Sequence, residues 1–132
     1  MRRFEKHLER ALNVAAKLTT NGKIDERMKA DISSFGTALL HNGLLPAVAL
    51  FSDSSTDSGR RRVKLLNAVY FVLKPDEVVP STGIPYNSTL LLIEALSLSG
   101  TQRGKLRTDI MDAVIAMKLA IRTFELEIIS QD

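Results

Sequence analysis

Two short basic segments carry the side chains whose types and spacing point most directly to chemistry. Each segment lies where a helix is predicted to begin, so that cationic side chains and backbone N–H groups would face the same ligand, and both of these groups suit phosphate. We therefore predict that the two segments bind the backbone of a nucleic acid. The residues are Arg60, Arg61, Arg62 and Lys64 in the first segment, and Arg103, Lys105 and Arg107 in the second.

The charge of the chain is concentrated in these segments. Residues 58–75 hold five cationic and no acidic side chains, and residues 95–108 hold three and none. Because the net charge of all 132 residues is +3, the remainder of the chain must carry −5. Concentrated positive charge favours an anionic partner. A bundle that binds only proteins, with these segments merely solvated, stays open as an alternative.

Enzyme chemistry is poorly represented. The chain has no cysteine, and its two histidines, His7 and His41, lack the spacing of a metal site. The segment from Gly100 to Lys105 lacks the spacing and the preceding strand of a phosphate-binding loop. We predict no catalytic residue, no metal and no cofactor, and therefore no enzyme. Most of the seven aromatic residues fall on apolar stripes, so backbone contact is expected rather than base stacking or base-specific recognition.

Helical periodicity dominates the chain, and no strand pattern competes with it. We predict a single all-α domain over residues 1–132, a bundle of about five to six helices that ends in a long amphipathic helix. The predicted helices cover about residues 3–20, 24–42, 44–53, 59–73, 88–98, and a final stretch from 101 or 106 to 129.

Two of these helices have unusual apolar surfaces. The fourth is apolar nearly all round after Val63, which is typical of a helix with neighbours on several sides. The last carries a row close to a heptad seam, with a second apolar row beside it, so it should pack on two sides, within the bundle or against another subunit. The seam is Leu106, Ile110, Val114, Met117, Ile121, Phe124 and Ile128.

Helix ends are marked by glycine, proline and hydroxyl side chains. Asn42 and Gly43 should end the second helix, because glycine adopts the positive φ that closes helices. Pro46 suits the first turn of the next helix, where its missing N–H is not needed. Thr56 or Ser58 should cap the fourth helix.

The stretch Leu40–Phe51, in which Asn42-Gly43-Leu44 is followed by a short apolar helix, resembles the small helical subunit of type III-B CRISPR effector complexes, the Cmr small subunit. The length, the lack of cysteine, the all-α order and the C-terminal helix around Asp112–Glu125 are similar too. The resemblance covers about residues 1–129 in architecture and is sharp only over the short stretch.

This resemblance implies a non-catalytic role in antiviral defence. Several copies would stack along the complex and contact the backbone of the duplex that the guide RNA forms with the target RNA, beside the backbone-repeat and large subunits. Identical copies stacked in this way would use head-to-tail contacts, which can propagate. A small subunit of another multi-subunit CRISPR complex would carry much the same signature.

A free-standing helix-turn-helix DNA-binding regulator around Ile32–Phe51 is the alternative from a different class. Its recognition helix, Leu44–Phe51, is apolar throughout and offers no base-reading side chain. We expect no membrane association, because the apolar runs are too short to span a bilayer. With no secretory signal read after Arg2-Arg3 and no cysteine, the cytoplasm is the expected location.

Overall fold

A computed structural model of the chain describes residues 4–127, with side chains to residue 124. Within that part the chain forms six helices and two three-residue strands, so the predicted all-α bundle with a long final helix is confirmed. The helices are α1 (Glu5–Ala16), α2 (Arg27–Asn42), α3 (Leu44–Leu50), α4 (Asp57–Leu73), α5 (Leu90–Leu96) and α6 (Thr101–Arg122), and the strands are β1 (Lys23–Asp25) and β2 (Glu125–Glu127).

Helix α4 lies at the centre of the bundle and packs against α1, α2, α5 and α6. The consecutive residues Leu66, Asn67 and Ala68 are fully buried, and consecutive residues point in different directions around a helix. A helix that is apolar all round needs such neighbours, and this prediction is confirmed. The three arginines lie in the first two turns of α4 and therefore belong to the most buried helix of the fold.

The junction between α2 and α3 is a single glycine. Gly43 has φ +86°, its N–H donates to the Leu39 carbonyl at 3.2 Å, and its carbonyl accepts from the Ala47 N–H at 3.2 Å. Residues with a Cβ rarely adopt this φ, which explains why glycine occupies the junction. Pro46 lies in the first turn of α3, as predicted.

Helix α6 ends at Arg122 rather than near residue 129, so the predicted length of the last helix is wrong. Its seam is buried as predicted from Leu106 to Ile121, but Phe124 lies beyond the helix end. From Phe124 onwards apolar and acidic residues alternate, and this alternation is the period of a strand. Because Phe124 also continues the helical row of α6, the sequence alone does not reveal the strand. Ile128 lies outside the described residues.

The strands β1 and β2 pair in parallel, with Ile24 opposite Leu126. The sequence pattern predicts no strand, and it places Ile24 in the second helix, so both expectations are wrong for this short pair. Ile24 is fully buried in β1, and α2 begins at Arg27, whose N–H donates to the Asp25 carboxylate at 2.9 Å. That hydrogen bond marks the start of α2.

His7 on α1 gives the fold a pH dependence. Its Nε2 atom is buried with no hydrogen-bond partner among the described residues. Burial, followed by the Lys6 charge, lowers the pKa of His7 below its ordinary value, although Asp112 and Asp109 oppose this shift. The unfolded chain therefore binds a proton more readily than the folded chain, and stability should fall as the pH drops below about 6.5.

We expect His7→Gln to reduce this loss, because glutamine does not titrate. Urea unfolding of both proteins at pH 7.5 and 5.5 measures it. The wild-type chain should lose more stability between the two values than the variant does, whatever their difference at pH 7.5. Equal losses would show that His7 does not contribute.

Candidate nucleic-acid interface

The first turn of α4 is built around Thr56 and Gly59. The Thr56 hydroxyl accepts from the Gly59 N–H at 2.9 Å, so Thr56, one of the two predicted caps, is the residue that caps α4. Gly59 is buried, and a Cβ there would overlap the carbonyl oxygen of Asp53, so only glycine lets the preceding loop cross the helix. Because Thr56 occupies one N–H and Asp57 lies in the same turn, anion binding here depends on side chains more than on backbone.

Arg61 is a structural residue in this fold. Its Nε and Nη2 atoms donate to the two carboxylate oxygens of Asp31 on α2, at 2.6 and 3.2 Å. The two side chains are only 12% and 8% exposed. Such a two-pronged pair fixes α4 against α2. The guanidinium predicted to bind phosphate is therefore occupied by a carboxylate of the same chain.

Arg60, Arg62 and Lys64 remain closer to solvent. Arg60 pairs with the exposed Asp57, and its side chain is 40% exposed. Arg62 lies 3.5 Å from Asp31 and has its guanidinium carbon 5.7 Å from the ring centre of Phe51. Lys64 makes no hydrogen bond or ion pair with any side chain in residues 4–124, so its charge is available to a ligand.

A groove of about 290 Å³ runs beside the start of α4. Three cations line it against one carboxylate, Asp25, which accepts hydrogen bonds from Arg27, and Arg27 lowers its pKa below the ordinary value. Arg61 is paired with Asp31 and Arg60 with Asp57, so the charge of Lys64 is the one left without a side-chain partner in residues 4–124. The groove is therefore positive. Its lining residues are Leu18, Thr20, Asp25, Met28, Arg60, Arg61, Lys64 and Tyr86.

The second basic segment stabilises helix ends instead of forming a groove of this kind. Arg103 donates to the Ala95 carbonyl at 3.0 Å, near the end of α5. Arg107 donates to the Leu39 and Leu40 carbonyls at 3.3 and 3.2 Å, near the end of α2. These contacts add side-chain donors to carbonyls at the C-terminal ends of two helices, where the backbone supplies fewer donors.

Lys105 is the most exposed cation of the second segment. Its ammonium lies 3.0 Å from Asp109 on the next turn, and its side chain is 79% exposed. It also lines a small cavity together with Lys74, which follows the last residue of α4, whereas the groove lies beside the start of that helix. The structure therefore does not bring the two basic segments together.

Sequence reasoning missed Asn67 and Tyr86. Asn67 is fully buried on α4, and its side chain makes three hydrogen bonds: to the carbonyls of Pro85 and Ser88 at 2.8 and 2.9 Å, and from the Leu90 N–H at 2.9 Å. Two signals were present in the sequence. Asn67 is a polar residue within an apolar helix, and Tyr86 is an aromatic residue in a proline-rich connector, away from every apolar stripe.

The described residues contain neither a metal-binding cluster nor a helix that could span a membrane. No cluster of three or more histidine or acidic side chains that could hold a metal ion occurs within residues 4–124. None of the helices in that part of the chain is both long and apolar enough to cross a bilayer.

No protein-family model, curated protein or solved structure matches this chain.

Proposed function

We propose that this chain is a non-catalytic small subunit of a multi-subunit RNA-guided CRISPR effector complex, acting in the cytoplasm in antiviral defence. In this role the groove at the start of α4 binds the sugar-phosphate backbone of the guide RNA or the target RNA. The resemblance of the Asn42-Gly43-Leu44 junction to the Cmr small subunit supports the assignment to such a complex.

The observation that carries RNA binding is the pair Lys64 and Arg60. They lie one helical turn apart on α4 and line the same positive groove. Lys64 has no hydrogen bond or ion pair to a side chain in residues 4–124, and Arg60 contacts exposed Asp57 and, at 3.4 Å, the Ser54 carbonyl. A phosphate in the groove would replace a weak surface ion pair and would meet a free ammonium group, so little is lost on binding.

Apolar side chains on the surface support the presence of neighbouring subunits. Leu50 on α3 and Ile93 and Leu96 on α5 are each more than half exposed, and α3 packs against α5. Exposed apolar clusters on a bundle are typical of protein contact surfaces. Other copies of this chain and the backbone-repeat and large subunits are the proposed partners.

The alternative of a DNA-binding regulator gains no support from α3. This helix has seven residues, Leu44–Leu50, and none of them carries a side chain that hydrogen-bonds to base edges.

Purification of the tagged chain from its own cells tests the assignment to a complex. We expect CRISPR effector subunits and a guide RNA to co-purify with it. Recovery of the chain without other subunits and without RNA would contradict the proposal.

Binding to single-stranded RNA across a salt series tests the groove. We expect the double variant R60Q/K64Q to bind about tenfold more weakly and to lower the slope of log affinity against log salt by about 0.7, since the two side chains share one phosphate and each phosphate contact to a single strand contributes about that much. The control K6Q/K118Q removes the same charge from positions outside the groove and should keep the wild-type slope. Equal slopes for both variants would show that the groove does not hold the backbone.

A further inference from the structure

Tyr86 is the aromatic residue of the groove, and 46% of it is exposed. It lies in the connector between α4 and α5, outside the apolar core. A large aromatic ring that the core does not use, placed beside cations, is a surface on which a planar group can stack.

The backbone on both sides of Tyr86 is held in position from inside the protein. Asn67 donates to the carbonyls of Pro85 and Ser88, one on each side of Tyr86 along the chain. Pro85, the preceding residue, has a fixed φ, which limits the connector further. Because the backbone is already ordered, little conformational entropy is lost when a ligand stacks on the ring.

The cations and this anchor share one face of α4. Arg60, Lys64 and Asn67 are spaced four and three residues apart, so they lie above one another on the helix. Leu18 and Met28, both nearly buried, add apolar lining to the groove. A volume of about 290 Å³ is at the lower limit for ligand pockets, which suits one unit of a longer chain.

We infer that the groove binds one nucleotide of a single-stranded RNA, with its base stacked on Tyr86 and its phosphate between Lys64 and Arg60. This inference rests on the proposed function, which it narrows from RNA backbone in general to an unpaired nucleotide. The face of a base within a duplex is covered by its neighbours, so only an unstacked base can reach the tyrosine ring. Stacking of this kind tolerates all four bases. The inferred stacking on Tyr86 departs from the sequence-based expectation that the protein contacts only the RNA backbone and stacks on no base.

Tyrosine fluorescence provides a direct measurement, because the chain has two tyrosines and no tryptophan. Tyr70 makes a surface hydrogen bond to Glu77, so Y70F should fold and leave Tyr86 as the sole emitter. We expect an eight-nucleotide uridine oligomer to quench this emission on binding, and a 16-base-pair RNA duplex to leave it unchanged.

Variants of Tyr86 separate stacking from charge. Y86A should weaken binding of the uridine oligomer by about 5- to 100-fold and leave the salt slope unchanged, since no phosphate contact is removed. Y86W should retain the affinity, whereas Y86L, which is apolar but not aromatic, should not. Thermal unfolding of each variant checks that the fold is intact, and the exposure of Tyr86 makes a large loss of stability unexpected.

The outcomes distinguish the two proposals. If Y86A binds like the wild type while R60Q/K64Q binds weakly, stacking is wrong and backbone binding stands. If neither variant differs from the wild type, or if the wild-type chain binds no RNA oligomer, the groove is not an RNA site and both proposals for it fail.

Discussion

Asp31→Ala should lower the free energy of unfolding by about 3 kcal/mol, because it leaves the guanidinium of Arg61 nearly buried without its carboxylate. Arg61 is only 12% exposed and donates two hydrogen bonds to Asp31, so it cannot regain full hydration without moving α4 away from α2. Urea unfolding followed by circular dichroism measures the change.

Two further variants show whether the buried pair is responsible. Asp57→Ala removes the carboxylate that pairs with Arg60, whose side chain is far more exposed, and it should cost much less. The double variant D31A/R61M replaces both charges with apolar groups and should be more stable than D31A alone. If D31A unfolds at the same urea concentration as the wild type, the ion pair does not fix α4 against α2.

Asn67→Ala should also cost about 3 kcal/mol, because one buried side chain satisfies three backbone groups. The carbonyls of Pro85 and Ser88 and the N–H of Leu90 would each lose their partner. Alanine also leaves unfilled space in the centre of the bundle, since Asn67 is fully buried.

This variant should loosen the connector between α4 and α5 in particular. We expect faster amide exchange at Leu90 and faster proteolytic cleavage between residues 75 and 89. Asn13→Ala, at an exposed position on α1, is the matched control and should leave both rates unchanged. Unchanged protection of Leu90 in N67A would mean that the connector is held by other contacts.

The sequence predicts the helices of this fold well, because each buried stripe repeats with the helical period. The start of α2 and the end of α6, which border the two strands, are exceptions. At the end of α6 the residues after Arg122 satisfy both a helical seam and a strand alternation, and only the partner strand decides between them. That partner, Lys23–Asp25, lies about a hundred residues earlier, so no local pattern can reveal the pairing.

For the candidate site, sequence identifies the basic segments but not the use of each charge. Arg61 and Lys64 are two cations of one basic segment, yet the first is paired with Asp31 and the second is free of side-chain partners in the described part of the chain. The difference arises because Asp31 of α2 packs against Arg61, whereas Lys64 faces the groove. Likewise, Tyr86 lines the groove in a connector whose backbone Asn67 holds, and this arrangement depends on tertiary contacts.

The parallel pairing of β1 with β2 has a consequence for the order of assembly. It joins segments separated by four-fifths of the polypeptide, so closing it carries a large entropic cost that must be offset by contacts already made. Helix docking should therefore precede strand pairing during refolding, and thermal opening should start at the pairing of β1 with β2. Because Asp25 of β1 lines the groove, fraying there would reach one wall of the groove beside α4.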